Sequence, residues 1–90
     1  MIYNSERKHL DALDCFNKAV QIDEESGNLI QKASHINNIA ATFLYLRNLP
    51  ELLRYSENAL RILVQIGLGK SPTARLYQEN INFVKNLQSN

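Results

Sequence analysis

Two stretches of this chain repeat each other at a distance of 40 residues. Residues 12–22 read ALDCFNKAVQI, and residues 52–62 read LLRYSENALRI. Four positions keep their character: Leu13/Leu53, Ala19/Ala59, Val20/Leu60 and Ile22/Ile62. Self-similarity at a fixed period of about 20–50 residues indicates a repeat protein, in which neighbouring units bury each other's apolar faces. The repeat therefore predicts a stack of similar helical units.

The apolar residues around both stretches recur at three- and four-residue spacing. This spacing predicts four helices, over residues 5–23, 29–47, 50–66 and 71–88. No segment shows the alternation that predicts a strand. Two of the helices are apolar on more than one side, whereas an isolated surface helix needs only one apolar stripe. A helix that contacts both a hairpin partner and a neighbouring unit needs two.

Capping residues mark the expected ends of these helices. Ser5 is expected to cap the first helix, and Gly27 suits a left-handed residue after its last turn. Pro50 has no amide donor and so fits the first turn of the third helix. Ser71 and Pro72 are expected to begin the fourth helix as its N-cap and first residue. The three connections are then short turns.

Composition limits the classes of function. The 90 residues are 44% hydrophobic and 21% charged, which is typical of a folded chain. The net charge of +1 argues against nucleic acid as a partner, because nucleic-acid binding usually requires a concentrated basic face. No apolar run approaches the roughly 20 residues of a membrane span, and the N-terminus has no signal-peptide pattern. A cytoplasmic location is therefore expected, with no membrane partner.

Candidate catalytic and metal-binding residues are few. Gly69-Lys70-Ser71 matches the end of a phosphate-binding loop, but Val64 stands where that loop needs its first glycine. His9 and His35 have no cluster of further ligands at metal-binding spacing, so we expect them to be structural or solvated. Cys15 has no sign of a positioned base and is expected to pack in a half-buried place. The acidic run Asp23-Glu24-Glu25 is expected to form a solvated turn. The sequence predicts no enzyme and no cofactor.

One further segment carries a family resemblance. Residues 37–43 read NNIAATF, and Leu46, Leu49, Leu52 and Ala59 follow at family spacing. In this order, over roughly residues 10–87, the chain resembles the tetratricopeptide repeat family, in its variety with a period near 40 residues. It departs from the family pattern at four positions: Ala40 and Arg47, where glycine is common, Leu52, where alanine is common, and Ser56, where an aromatic is common.

The resemblance implies an all-α fold of antiparallel helix-turn-helix repeats, stacked as a short right-handed α-solenoid of four helices. The single domain, residues 1–90, then holds one complete repeat at 28–66. Residues 5–23 form the second helix of a partial repeat, and residues 71–88 the first helix of a further one. Such arrays usually need about three repeats and polar caps. Two alternatives follow: a homodimer or end-to-end self-association, or a fragment of a longer array or a subunit completed by a partner chain.

The resemblance also implies a function, the binding of a protein or peptide on the concave face. Eight residues are expected near that face: Ser34, Asn37, Asn38, Ala41 and Tyr45, with Gln78, Asn82 and Lys85 as approximate counterparts in the last helix. Asparagine can donate and accept hydrogen bonds together, so it can pair with a peptide backbone of any sequence. For Asn38, an equal alternative is a structural bond between adjacent helices.

Overall fold

The structure is a computed structural model that describes the backbone of residues 2–89 and the side chains of residues 7–89. It contains four helices: α1 (Ile2–Ser26), α2 (Leu29–Tyr45), α3 (Leu49–Gln65) and α4 (Pro72–Ser89). Within residues 2–89 there is no strand. The predicted all-α fold of four helices in a repeat-like order is therefore confirmed.

Helix α1 is longer than the sequence predicted at both ends. It begins at Ile2, so Ser5 lies inside the helix and is not its N-cap. It also continues through Asp23-Glu24-Glu25 to Ser26, so the prediction of a solvated turn there is wrong. No proline or glycine interrupts residues 2–26, and a helix continues until a breaker or a competing cap stops it. The breaker is Gly27, which has a φ of 75°.

Side chains cap the other three helices. The side-chain oxygen of Asn28 accepts a hydrogen bond from the backbone N–H of Gln31 at 3.2 Å. In the same way, Asn48 accepts one from Glu51 at 3.3 Å, and Ser71 accepts one from Ala74 at 3.2 Å. Each bond satisfies one of the amide groups that the first turn of a helix leaves without a partner. Pro50 lies in the first turn of α3, and Pro72 begins α4, as predicted.

The helices pack as antiparallel neighbours in chain order, with α1 on α2, α2 on α3 and α3 on α4. The Cα atoms span 42 × 36 × 17 Å. The smallest dimension is that of two helix layers, since packed axes lie about 8–10 Å apart and Cα atoms about 2.3 Å from each axis. The protein is therefore a flat stack of hairpins.

The core lies between α2, α3 and α4. Ten of its buried hydrophobic residues form two clusters, one of Ala33, Ile36, Ala59, Ile62, Leu63, Ala74 and Tyr77, and one of Ala40, Leu52 and Val84. Small residues at the helix crossings allow close approach: Ala33 and Ala59 are fully buried. Beside the second cluster, Phe43 and Tyr55 stack with ring centroids 5.6 Å apart. Cys15, by contrast, is exposed on α1, so the prediction that it packs is wrong.

The pattern of burial fixes how α4 corresponds to α2. In the sequence, Ala33 pairs with Ala74 at a shift of 41 residues, whereas Asn38-Ile39 resembles Asn80-Ile81 at a shift of 42. At a shift of 41, three pairs are buried in both helices: Ala33/Ala74, Ile36/Tyr77 and Ala40/Ile81. At 42, Ala33 would correspond to Arg75, which is exposed. The correspondence between α2 and α4 is therefore 41 residues, one more than between α1 and α3.

Candidate functional site

A groove runs between α2 and α4, with α3 as its floor. Its volume is about 180 Å³, and it is partly open to solvent. Its lining residues are Asn37, Ala40, Ala41 and Leu44 from α2, Leu52 and Ser56 from α3, and Asn80, Phe83 and Val84 from α4. We call this feature the α2–α4 groove. It combines an apolar floor with two amide groups, the composition typical of a site for a peptide or small ligand.

The two walls of the groove expose large apolar side chains. Leu44 on α2 is 52% exposed, and Phe83 on α4 is 64% exposed. Ala40 and Ala41 have small side chains, which leave room between the α2 wall and the α4 wall. None of the lining residues is charged, so a side chain that enters the groove meets apolar surface and neutral polar groups. Such a groove favours an apolar anchor from the ligand.

A small residue in α3 leaves space at the floor. Ser56 is 3% exposed and lines the groove. Its counterpart 40 residues earlier is Phe16 in α1, whose ring packs 6.5 Å from that of His35. An aromatic side chain at position 56 would fill volume that the serine leaves open. The departure from the family pattern noted at this position thus coincides with the groove.

Only two of the eight residues predicted from the sequence line the α2–α4 groove. Asn37 and Ala41 line the α2–α4 groove. Ser34 and Asn38 are exposed on the same helix, outside the lining, and the backbone oxygen of Asn38 accepts a bond from Thr42 at 2.9 Å. Tyr45 lies at the end of α2, where its ring stacks on His9 of α1 at 4.8 Å.

The three residues predicted in α4 lie on its other flank. Gln78 and Lys85 line a shallow depression with α3, where Lys85 lies 4.0 Å from Glu57. Gln78 donates a hydrogen bond to Asn82 at 3.0 Å. At the 41-residue shift, these three correspond to Asn37, Ala41 and Leu44, which face α4 from α2. They therefore occupy the equivalent face, but that face of α4 points away from the groove.

Seven of the nine groove residues were not among the predicted site residues: Ala40, Leu44, Leu52, Ser56, Asn80, Phe83 and Val84. A signal for the α4 wall existed in the sequence. Leu76, Asn80, Phe83 and Leu87 recur at intervals of four, three and four residues, which places them on one helix face. That face is distinct from the buried one of Ala74, Tyr77 and Ile81. A second apolar stripe beside the core stripe indicates a further contact.

Two of the four ion pairs among the described residues lie where α1 meets α2, away from the groove. The Nδ1 atom of His35 lies 2.5 Å from a carboxylate oxygen of Asp23, and Lys32 lies 2.7 Å from Glu24. Asp23 is buried, so this pair has a structural role in holding α1 on α2. Among the described residues, no group of three or more His, Cys, Asp or Glu side chains is placed to hold a metal ion.

Among the side chains of residues 7–89, two groups have shifted pKa values, and neither lines the groove. Burial raises the pKa of the Tyr77 hydroxyl above its ordinary value, because the core disfavours the charged phenolate. The hydrogen bond from Arg54 to Glu51 raises the pKa of the Arg54 guanidinium on the surface of α3. The groove itself has no ionisable side chain in its lining, so its chemistry is that of contact and hydrogen bonding.

Comparison of the sequence with models of known families, with curated proteins and with solved structures finds no match. Within residues 2–89, none of the helices has the length and apolarity that would let it cross a membrane.

Proposed function

We propose that this chain is a protein-binding module of the tetratricopeptide type that holds a peptide or helix in the α2–α4 groove. One observation carries the proposal: Leu44 and Phe83 stand exposed on opposite walls of an uncharged groove. Exposed large apolar side chains that line a concave surface mark interaction sites more often than chance exposure does. A cytoplasmic location and a role without catalysis are parts of the same proposal.

The lining indicates what the ligand should contribute. An apolar anchor of the ligand would pack between Leu44 and Phe83 and reach towards Ser56. Asn37 and Asn80, one on each wall, offer amide donors and acceptors to the ligand backbone on either side of the anchor. Since no lining residue is charged, a charged anchor would lose its hydration without a partner. The preferred ligand is therefore an amphipathic segment with an uncharged apolar core.

A peptide-display experiment tests the proposal. The purified chain selects binders from a random peptide library, and their affinities are measured by isothermal titration calorimetry. We expect selected peptides to share an apolar anchor. We also expect Leu44→Glu to weaken binding by roughly 30-fold or more, since hot-spot contacts carry about 2 kcal/mol or more.

The matched control is Ile30→Glu, a second exposed apolar residue of α2 that does not line the groove. This variant should bind the selected peptides as the unaltered chain does. If no peptide is selected, or if both variants lose binding equally, the groove is not the site.

A second candidate is a regulatory or structural subunit whose open faces are covered by another chain. The observation that favours it is a pair of exposed apolar residues on α1, Leu10 and Ile22. Under this alternative, a binding partner from the native cell should be lost on Ile22→Glu and retained on Leu44→Glu. Self-association, as a homodimer or end to end, remains part of the first proposal.

A further inference from the structure

The floor of the α2–α4 groove carries a hydroxyl group that makes no hydrogen bond with any described residue. Ser56 is 3% exposed and lines the groove. Thr42 and Ser89, by contrast, donate their hydroxyls to the backbone oxygen four residues earlier in the same helix. Within residues 7–89, every fully shielded side-chain oxygen of a buried or half-buried residue has a hydrogen-bond partner. The Ser56 oxygen has none and is therefore accessible, and the groove is the space that reaches it.

An unpaired hydroxyl in a buried place indicates where a ligand atom can bind. Native structures pair nearly all of their buried polar groups, so an exception has a specific reason. A hydroxyl both donates and accepts, so it can pair with a ligand hydroxyl, carbonyl or amide. The other buried residues of the lining, Ala40, Leu52 and Val84, are apolar. The group that fits this depth is therefore apolar along its body and polar at its tip.

The groove has room for one side chain and not for a helix. Its volume is about 180 Å³, whereas a helix with its side chains is about 10–12 Å wide. An apolar protein cavity of about 150 Å³ binds benzene. The groove is somewhat larger, so it admits one six-membered ring with one or two further heavy atoms. An indole, with its second ring, exceeds this size.

The walls at the mouth of the groove favour an aromatic ring without charge. Phe83 is 64% exposed on the α4 wall, and Leu44 lies on the α2 wall. An aromatic ligand group can stack on the Phe83 ring or pack against it edge to face, which adds to the gain from area burial. No lining residue is charged, so a charged substituent would lose its hydration without a partner. A phenol meets all of these conditions, because it is uncharged at neutral pH and carries a hydroxyl at its tip.

We propose that the α2–α4 groove selects one tyrosine side chain of a partner peptide, with the phenol ring beside Phe83 and the phenol hydroxyl bonded to that of Ser56. This inference rests on the proposed function, since it names the anchor of the peptide that the groove holds. Ser56 is then the residue that determines specificity. A phenylalanine anchor fills nearly the same volume but leaves the serine hydroxyl buried and unpaired, which lowers the affinity.

Two small molecules that differ by one hydroxyl test the selection. They are p-cresol and toluene, which correspond to the side chains of tyrosine and phenylalanine, and NMR titration of the purified chain measures their dissociation constants. We expect p-cresol to bind roughly two- to tenfold more tightly, which is the gain from one neutral hydrogen bond. Ser56→Ala should abolish this preference and still bind toluene, since alanine favours the helix and keeps the groove apolar. The matched control, Ser34→Ala, changes an exposed serine of α2 outside the lining and should keep the preference.

Any of four results would overturn the selection of tyrosine: no binding of either molecule, equal binding of both, a preference that survives Ser56→Ala, or a folded Ser56→Ala variant that binds neither. The proposed function fails separately. If peptide display selects binders anchored by leucine or phenylalanine, the module binds peptides and only the choice of tyrosine is wrong. If p-cresol binds through Ser56 but no peptide is selected, the groove is a site for a free phenol, and the protein-binding function is wrong.

Discussion

Helices α2 and α4 are built on the same pattern but have different neighbours. At the 41-residue shift, three pairs of equivalent positions are buried in both helices: Ala33/Ala74, Ile36/Tyr77 and Ala40/Ile81. On a second face they diverge. In α2 that face holds the buried Ile39 and Thr42, whereas the counterparts of these two residues in α4, Asn80 and Phe83, are exposed. The comparison teaches that a repeated core stripe does not by itself produce a repeated second contact, because α3, the counterpart of α1, packs on α4 and leaves these positions exposed.

The largest expected change in the free energy of unfolding comes from a test at two equivalent positions. Ile39 is fully buried in α2, and its counterpart in α4 is the exposed Asn80. We expect Ile39→Ala to lower the free energy of unfolding by about 2–5 kcal/mol, through lost burial and a cavity. Asn80→Ala should change it by less than about 0.5 kcal/mol, as is usual for a surface position.

Urea unfolding followed by circular dichroism measures both values, at low concentration so that self-association does not contribute. Similar losses at positions 39 and 80 would contradict the difference in cover between the two helices. They would also show that position 80 is already buried within one chain.

The sequence predicted the elements of the fold because its signals there are local. Gly27, Pro50 and Ser71 act on the residues beside them, and the structure has helix ends at all three. The exception is Ser5, since an N-cap signal does not stop a helix that can extend further towards Ile2. The packing of α2 on α3 followed from spacing, because the period of a helix determines which side chains share a face.

The groove was predicted only in part because it depends on orientation between helices. Asn37 was predicted near the concave side, and in the structure it lines the α2–α4 groove. Gln78 was predicted as an approximate counterpart in the last helix, and in the structure it lies with Lys85 in the depression between α3 and α4. Phe83 was treated as a neighbour of the core stripe, since one sequence does not show which of two apolar faces is buried. Cys15 was expected to pack because its counterpart is Tyr55, yet it is exposed.

A second test weakens the cover on α2. The carboxylate of Asp23 is buried against His35, whereas the counterpart of His35 in α4 is Leu76. We expect Asp23→Ala to lower the free energy of unfolding by about 1–2 kcal/mol, since a hydrogen bond to a charged group is lost. The control is Glu24→Ala, which breaks the more exposed pair with Lys32 and should cost less than about 1 kcal/mol.

A double-mutant cycle with His35→Ala identifies the cause of that loss. If the pair stabilises the junction of α1 and α2, the two substitutions should couple by about 0.5–2 kcal/mol. Additive losses would indicate that Asp23 acts through another neighbour. The contact between Asp23 and His35 would then not be what holds α1 on α2.

The smallest expected effect concerns the connections between helices. Gly27 and Gly67 follow α1 and α3 with φ values of 75° and 84°, and Arg47 follows α2 with a φ of 58°. A side chain other than glycine is strained in this left-handed region by roughly 1 kcal/mol, so Arg47→Gly should raise the free energy of unfolding by up to about 1 kcal/mol. The reciprocal change, Gly67→Arg, should lower it by a similar amount, since the added Cβ meets no atom within 4 Å and only backbone strain acts. Urea unfolding measures both changes. If Arg47→Gly instead destabilises the chain, the arginine side chain makes a contact that outweighs the backbone strain. The turn after α2 is then not equivalent to the turns after α1 and α3.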